Sequence, residues 1–228
     1  IPVEQVIDSA ARIGFEGVEI LHRGMDDESS AYVKKIKRHA FRAGIDLMLF
    51  SIHQDFVQPY IDQRKENIRH TQHCIKLAAS LGIPCVRLNS GRWKTIPNFN
   101  ELMKAGGIEP PLPGYQPDDA FKWCIESIQE CLVTAEAEGV MLALENHWGL
   151  TTQPKDLLRI YNAINHPWLG LNMDTGNFPP NISPYDGIAM LAPYASVVQA
   201  KTYYGGGEWY TLDLDYKKIA GILRSANY

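Results

Sequence analysis

The sequence predicts an α/β fold in which parallel strands alternate with helices. Three observations lead there. A helix-like stretch ending at Gly runs straight into a short apolar run in AARIG-FEGVEIL, AFRAG-IDLMLFSI, LAASLG-IPCVRLN and AEAEG-VMLALEN. Two further units, PKDLLRIYNAINHP-WLGLNMD and PYDGIAMLAPYA-SVVQAKTY, keep the same order without the Gly. The apolar runs are nearly unbroken, as in strands covered on both faces. Such alternation builds either a (β/α)8 barrel or an open doubly wound sheet. Neither G-x-G-x-x-G nor G-x-x-x-x-G-K-[ST] follows the first run, so the dinucleotide and P-loop signatures are absent.

Each element has a local reason. The chain opens on the helix-like IPVEQVIDSAARIG, with Val6, Ala10 and Ile13 on one predicted face; Ile128, Cys131, Leu132 and Ala135 share a face further along. Gly14, Gly44, Gly82 and Gly139 stand where a helix C-terminus favours a left-handed residue. Pro154 and Pro184 stand just inside helix starts, where the missing N–H does no harm. Strands are expected at about 17–21, 46–52, 84–89, 140–145, 168–173 and 196–201. Residues 90–119, rich in Pro and Gly, interrupt this rhythm as one long structureless insertion. Such insertions are usually lids or binding loops.

Bulk properties narrow the function. A chain of 228 residues can bury a sizeable core. A net charge of -4 gives no footprint for nucleic acid or an anionic membrane. No apolar run approaches the roughly 20 residues of a membrane span. Cys74, Cys85, Cys124 and Cys131 form no C-x-x-C pair and read as buried packing thiols. That favours a reducing, cytoplasmic compartment, with export left open because the sequence starts inside a helix-like stretch.

Polar residues gather at the strand ends. In order these ends carry Glu19 and His22; His53 and Asp55; Asn89 and Arg92; Glu145, Asn146 and His147; Asp174 and Asn177; and Gln199 and Lys201. In a barrel all of them would ring one mouth, where barrel enzymes keep their active sites. Glu145, Asp174, His53, His147 and Gln199 make a mixed oxygen and nitrogen donor set, suited to Mn²⁺, Mg²⁺, Co²⁺ or Zn²⁺. No thiolate joins them, which argues against a structural zinc site. His39, His70 and His73 lie in helices and are expected to face solvent.

FEGVEIL, SIHQDF, LALENHWG, NMDTGNF and VVQAKTYY, in this order, resemble the xylose isomerase-like TIM-barrel superfamily. That group includes sugar isomerases, ketose 3-epimerases, inosose dehydratases and the endonuclease IV group. The resemblance implies a single (β/α)8 TIM-barrel domain over 1–228, trimmed of its first and last strands, with 90–119 as a lid. It implies one divalent metal held by Glu145, Asp174 and Gln199, where Gln199 stands at a position usually occupied by His. The family's last-strand Glu has no counterpart here. The acidic balance and the small number of ligands fit the endonuclease group poorly.

The implied activity is a metal-dependent sugar isomerase or epimerase that moves a proton next to a carbonyl through an enediolate. The alternatives are a lyase of the inosose dehydratase or keto-glycoside type and an inactive sugar-binding barrel. Glu145, His147 and Lys201 are the expected catalytic residues. His147 could touch substrate or orient a ligand, and Lys201 could equally form a surface ion pair. His53, Asn89, Arg92, Asn177, Trp148 and Glu19 are expected to bind substrate. Trp148 and Trp93 could stack on a sugar or simply pack. The partner is a small sugar or keto-sugar, with no nucleic acid and no membrane, and a homo-oligomer is possible. The segment YYGGGEWY, residues 203–210, could hold a phosphate, but a turn and a non-phosphorylated sugar are favoured.

Overall fold

The computed structural model describes residues 1–203 and 212–228. Apart from Tyr203, the glycine-rich segment considered for phosphate lies outside the described residues. The elements run α1 (Val3–Ile13), β1 (Gly17–Leu21), α2 (Ser30–Ala43), β2 (Asp46–Ser51), α3 (Ile61–Leu81), β3 (Cys85–Leu88), α4 (Phe99–Lys104), α5 (Pro117–Glu138), β4 (Met141–Glu145), α6 (Pro154–Ile164), β5 (Leu169–Asp174), α7 (Pro184–Leu191), β6 (Ala195–Gln199) and α8 (Tyr216–Ser225). Short 3-10 turns follow β1 and α7. The strands form one sheet in the order β1-β2-β3-β4-β5-β6, and every pairing is parallel. The sheet curls as in a TIM barrel that lacks some strands. Across its interior the Gln199 amide on β6 donates to Glu19 Oε2 on β1 at 2.9 Å, although 180 positions separate them.

The glycine rule holds. Gly14, Gly44, Gly82 and Gly139 close their helices in the left-handed region, at φ of 95°, 67°, 77° and 67°. Pro154 and Pro184 begin α6 and α7. At α2 the Ser29 hydroxyl accepts from the Tyr32 amide, satisfying one of the otherwise unpaired first-turn N–H groups.

Strand alternation sorts side chains into two compartments. Val18 and Ile20, Phe50 and Ile52, Val86 and Leu88, Leu142 and Leu144, and Leu169, Leu171 and Met173 face the helices in one continuous core. Losing one such side chain, as in Leu142→Ala, costs about 2–5 kcal/mol. The opposite, inner face has its own small apolar layer of Leu49, Cys85 and Ala143, joined by Met141 and Val197. All four cysteines are free and buried.

Three expectations need correction. The buried face of α1 is Val3, Ile7 and Ala10; Val6 is 38% and Ile13 71% exposed. Its pattern fits a helix lying on the rim of the layer, one residue out of phase with the face read from the sequence. Residues 90–119 are not structureless. They contain α4, started by the Asn98 side chain accepting from the Glu101 amide, and the first turn of α5. His39 and His70 are half-buried rather than solvent-facing, because each lies where its helix meets a neighbour; His73 is exposed as expected.

The insertion is tied down at its root. Glu109 accepts from the amides of Lys94 (2.8 Å) and Ile96 (3.0 Å), and Asp55 pairs with Lys94 Nζ at 2.8 Å. At Gly91 (φ 96°) a β-carbon would come within 2.0 Å of Asp55 Oδ1, and at Gly149 (φ 100°) one would meet Gly91 O at 2.6 Å. Only glycine permits both the turn and this close approach.

Candidate active site

Two residues beyond the inner apolar layer, the same strands turn polar. β4 ends on Glu145 and β5 on Asp174, both buried. Asn146 fixes their relative position. Its side-chain amide donates to Asp174 O (2.9 Å), and its oxygen accepts from the Asp174 amide (2.7 Å). Thr151 caps the other side, donating to Glu145 O at 2.8 Å.

The two carboxylates share Asn177, whose Nδ2 lies 3.0 Å from Glu145 Oε1 and 3.0 Å from Asp174 Oδ2. The Gly176 amide donates to Asp174 Oδ1 at 2.7 Å. Lys201 Nζ donates to Asn177 Oδ1 at 2.7 Å and stands 3.7 Å from Asp174 Oδ2. Its ammonium is partly buried, so Lys201 forms no surface ion pair. It also lies over the Trp148 ring at 5.2 Å.

A second cation was not foreseen from the sequence. Arg87, in the middle of β3, points inward and is buried, with Nε 3.3 Å from Glu145 Oε2. It donates to Ser51 Oγ (3.0 Å), Ile52 O (3.2 Å) and Asn89 Oδ1 (2.7 Å). Asn89 therefore orients Arg87. Ser51 also donates to Glu19 Oε1, linking Arg87 to the far edge of the interior. Asn172, two residues before Asp174 and paired in register with Glu145, is buried with neither amide atom hydrogen-bonded. An inward-facing charge or amide inside an otherwise apolar strand is the signal that could have exposed both residues.

The electrostatics follow from burial. Burial pushes the Glu145 carboxyl well above the ordinary range; Arg87 opposes this and the neighbouring Asp174 charge reinforces it. Burial likewise raises Asp174, against the pull of Lys201. His147 is pushed down to about 3 by burial and then by the Arg87 and Lys201 charges, so its imidazole is neutral. His53 is held down to about 4 by partial burial, Arg87 and Arg23, and makes no hydrogen bond among the described residues.

Other expected residues fall at varying distances from this pair. Trp148 packs edge-on against Phe99 of α4 (4.8 Å) and against His147 (4.6 Å). It lines a cavity of about 570 Å³ with Gly176, Asn177 and Phe178 on one side and Asn100, Met103 and Gly107 on the other. Helix α4 of the insertion thus walls the space beside the carboxylates. Arg92 is not brought to them: it donates to Ile96 O (3.3 Å) and lies 3.8 Å from Glu109, inside the insertion. Trp93 packs against Trp123 and Tyr115.

The donors suit a hard divalent cation. Glu145 Oε2 is buried without a hydrogen bond, Asn172 Oδ1 is unsatisfied beside it, and Gln199 keeps its amide oxygen while its nitrogen serves Glu19. Among the described residues no third His, Cys, Asp or Glu atom converges with Glu145 and Asp174. The amides of Asn172 and Gln199 offer further oxygen donors among the described residues.

A family model described as xylose isomerase-like TIM barrel matches residues 7–228. No curated protein sequence matches the chain. Among solved structures, a D-tagatose 3-epimerase-like protein superposes with TM-score 0.81 at 17% identity, over 100% of this chain and 84% of that one. D-psicose 3-epimerase from Clostridium cellulolyticum H10, solved with D-tagatose, gives 0.77 at 17%, over 99% and 76%. A xylose isomerase-like TIM barrel protein from Mycobacterium smegmatis, in complex with magnesium, gives 0.73 at 18%, over 99% and 78%. At these identities the likeness is one of fold.

Proposed function

The chain belongs to the xylose isomerase-like TIM-barrel family, and from that premise we propose that it moves a proton beside the carbonyl of a non-phosphorylated sugar or keto-sugar, as a divalent-metal-dependent isomerase or epimerase. The observation that carries this reading is the pair of buried carboxylates, Glu145 and Asp174, joined by Asn177 and flanked by Arg87 and Lys201.

Glu145, Asp174 and Gln199 would hold the ion, with Asn172 as a further oxygen donor. When bound, the ion supplies Lewis-acid polarisation of a carbonyl and its adjacent hydroxyl. Glu145 accepts the proton from the carbon between them. Lys201 and Arg87 set positive charge beside the developing enediolate, in a water-poor site where such charge counts most. Neutral His147 and Asn177 hydrogen-bond sugar hydroxyls, and Trp148 offers an apolar ring face. Glu19, His53 and Asn89 bind or orient more distant hydroxyls. Helix α4 and the rest of 90–119 act as the lid. Lys201 is already engaged by Asp174 and Asn177, which leaves it poorly placed for a phosphate.

The test is to incubate the metal-loaded and chelator-treated protein with D-fructose, D-tagatose or D-psicose and identify the products. Interconversion of ketoses of unchanged mass, lost with chelator, is the expected result. Loss of water or of an aglycone would instead make the protein a lyase. No turnover together with no metal binding would leave a sugar-binding barrel.

A further inference from the structure

A second group of metal-ligating side chains lies outside the barrel mouth, between the turn after β1 and the face of α3. His22 is in that turn. His70 and Cys74 are four residues apart on α3, one helical turn, and so share a face. Cys74 Sγ is 3.6 Å from His22 Nδ1, and 3.7 and 4.0 Å from the two ring nitrogens of His70. One ligand atom from each residue falls within 4.8 Å of the others; among the described residues no other His, Cys, Asp or Glu trio does so.

These distances have a chemical meaning. Zn–S and Zn–N bonds of about 2.3 and 2.0–2.1 Å at a tetrahedral angle place sulfur and nitrogen roughly 3.6 Å apart. The His22 and nearer His70 sulfur–nitrogen separations already stand close to that value, and a turn of the His70 ring would aim one lone pair inward. The second shell is also present. Glu28 Oε1 lies 2.6 Å from His22 Nε2, the ring nitrogen remote from Cys74, and Glu28 Oε2 lies 2.5 Å from His73 Nε2. A carboxylate on the far nitrogen fixes the tautomer that leaves Nδ1 free to ligate. Cys74 is fully buried, while the His22 side chain is 17% and Glu28 38% exposed, which gives an ion a way in from solvent.

We propose that His22, His70 and Cys74 form a site for a borderline-soft divalent cation of the zinc type, oriented by Glu28 and closed by a water. The thiol gives up its proton to solvent as the metal–sulfur bond forms. Its donors differ from those at Glu145 and Asp174, so it is independent of the sugar chemistry. It clamps the turn after β1 to α3. The sequence alone pointed away from a thiolate site because no Cys stands among the strand-end donors and none forms a C-x-x-C pair.

Cobalt(II) titration of the reduced protein tests this directly. The expected result is a saturable near-ultraviolet thiolate-to-cobalt charge-transfer band that disappears in Cys74→Ser. His70→Gln, at a half-buried position that α3 can tolerate, gives the same loss where Cys74→Ser fails to fold. Glu28→Gln weakens zinc binding about 10–100-fold. Asp174→Asn keeps the band, because the barrel-mouth donors contain no sulfur; failure at one site is thereby distinguished from failure at the other. No charge-transfer band in the wild-type protein, or a band undiminished in both Cys74→Ser and His70→Gln, would overturn the proposal.

Discussion

Inside the barrel, Leu49, Cys85, Ala143 and Val197 make an apolar layer, and two residues along the same strands Ser51, Arg87, Glu145 and Gln199 make a polar one. The backbone positions are equivalent, one pleat apart and facing the same way. The lower layer contributes ordinary burial, about 25 cal/mol per Å² of apolar surface removed from water. The upper layer holds two carboxylates and a guanidinium out of water, with Glu145 Oε2 and both Asn172 amide atoms left without hydrogen bonds. Desolvation of that kind opposes folding, and a chain that keeps it invites a functional reason. The difference locates stability in the lower layer and chemistry in the upper one.

Substitutions can break this contrast, beginning with the largest effect. Glu145→Gln should lower sugar turnover by about 10³-fold or more, within the range for losing a positioned base, while circular dichroism shows the fold retained. Arg87→Met should cost about 1–3 kcal/mol in urea unfolding, because it leaves the buried Ser51 and Asn89 oxygens without their donor and Glu145 Oε2 without its neighbouring cation. Cys85→Ala, just below Arg87, should cost only about 1 kcal/mol and leave kcat/KM within a factor of three. If Cys85→Ala depressed turnover as strongly as Glu145→Gln, the division between the layers would fail.

The pH dependence of the metal-free protein is the mildest expected effect, and its two limbs have opposite causes. His53 and His147 titrate lower in the folded protein, at about 4 and about 3, than when unfolded. Their contribution is therefore present above the ordinary histidine range and is lost as pH falls from there toward those values. Glu145 and Asp174 titrate higher in the folded protein. Their contribution is present below the ordinary carboxylate range and is lost as pH rises through their raised folded values. Urea midpoints measured against pH should fall on both sides. His147→Asn should flatten the acid limb and Glu145→Gln the alkaline one.

Much of this was legible in the sequence, and the reasons differ by residue. The glycine stops and unbroken apolar runs are local signals, so strands and helix ends could be read directly. Glu145 and Asp174 stood out because each ends an apolar run. Arg87 did not, because its burial depends on which face of β3 meets the interior. Arg92 looked equivalent to other strand-end residues, yet the insertion turns it toward Ile96 and Glu109. The exposed Ile13 shows the same limit: periodicity gives a face, and only packing decides which neighbour covers it.

The most direct measurement is solvent deuterium exchange at the carbon beside the carbonyl, followed with D-tagatose and D-psicose in D₂O for the metal-loaded wild type and for Glu145→Gln. Wild-type protein should incorporate one deuterium at that carbon, and the variant should incorporate none on the same timescale. Exchange undiminished in Glu145→Gln would contradict the assignment of Glu145 as the proton-transfer group at the barrel mouth.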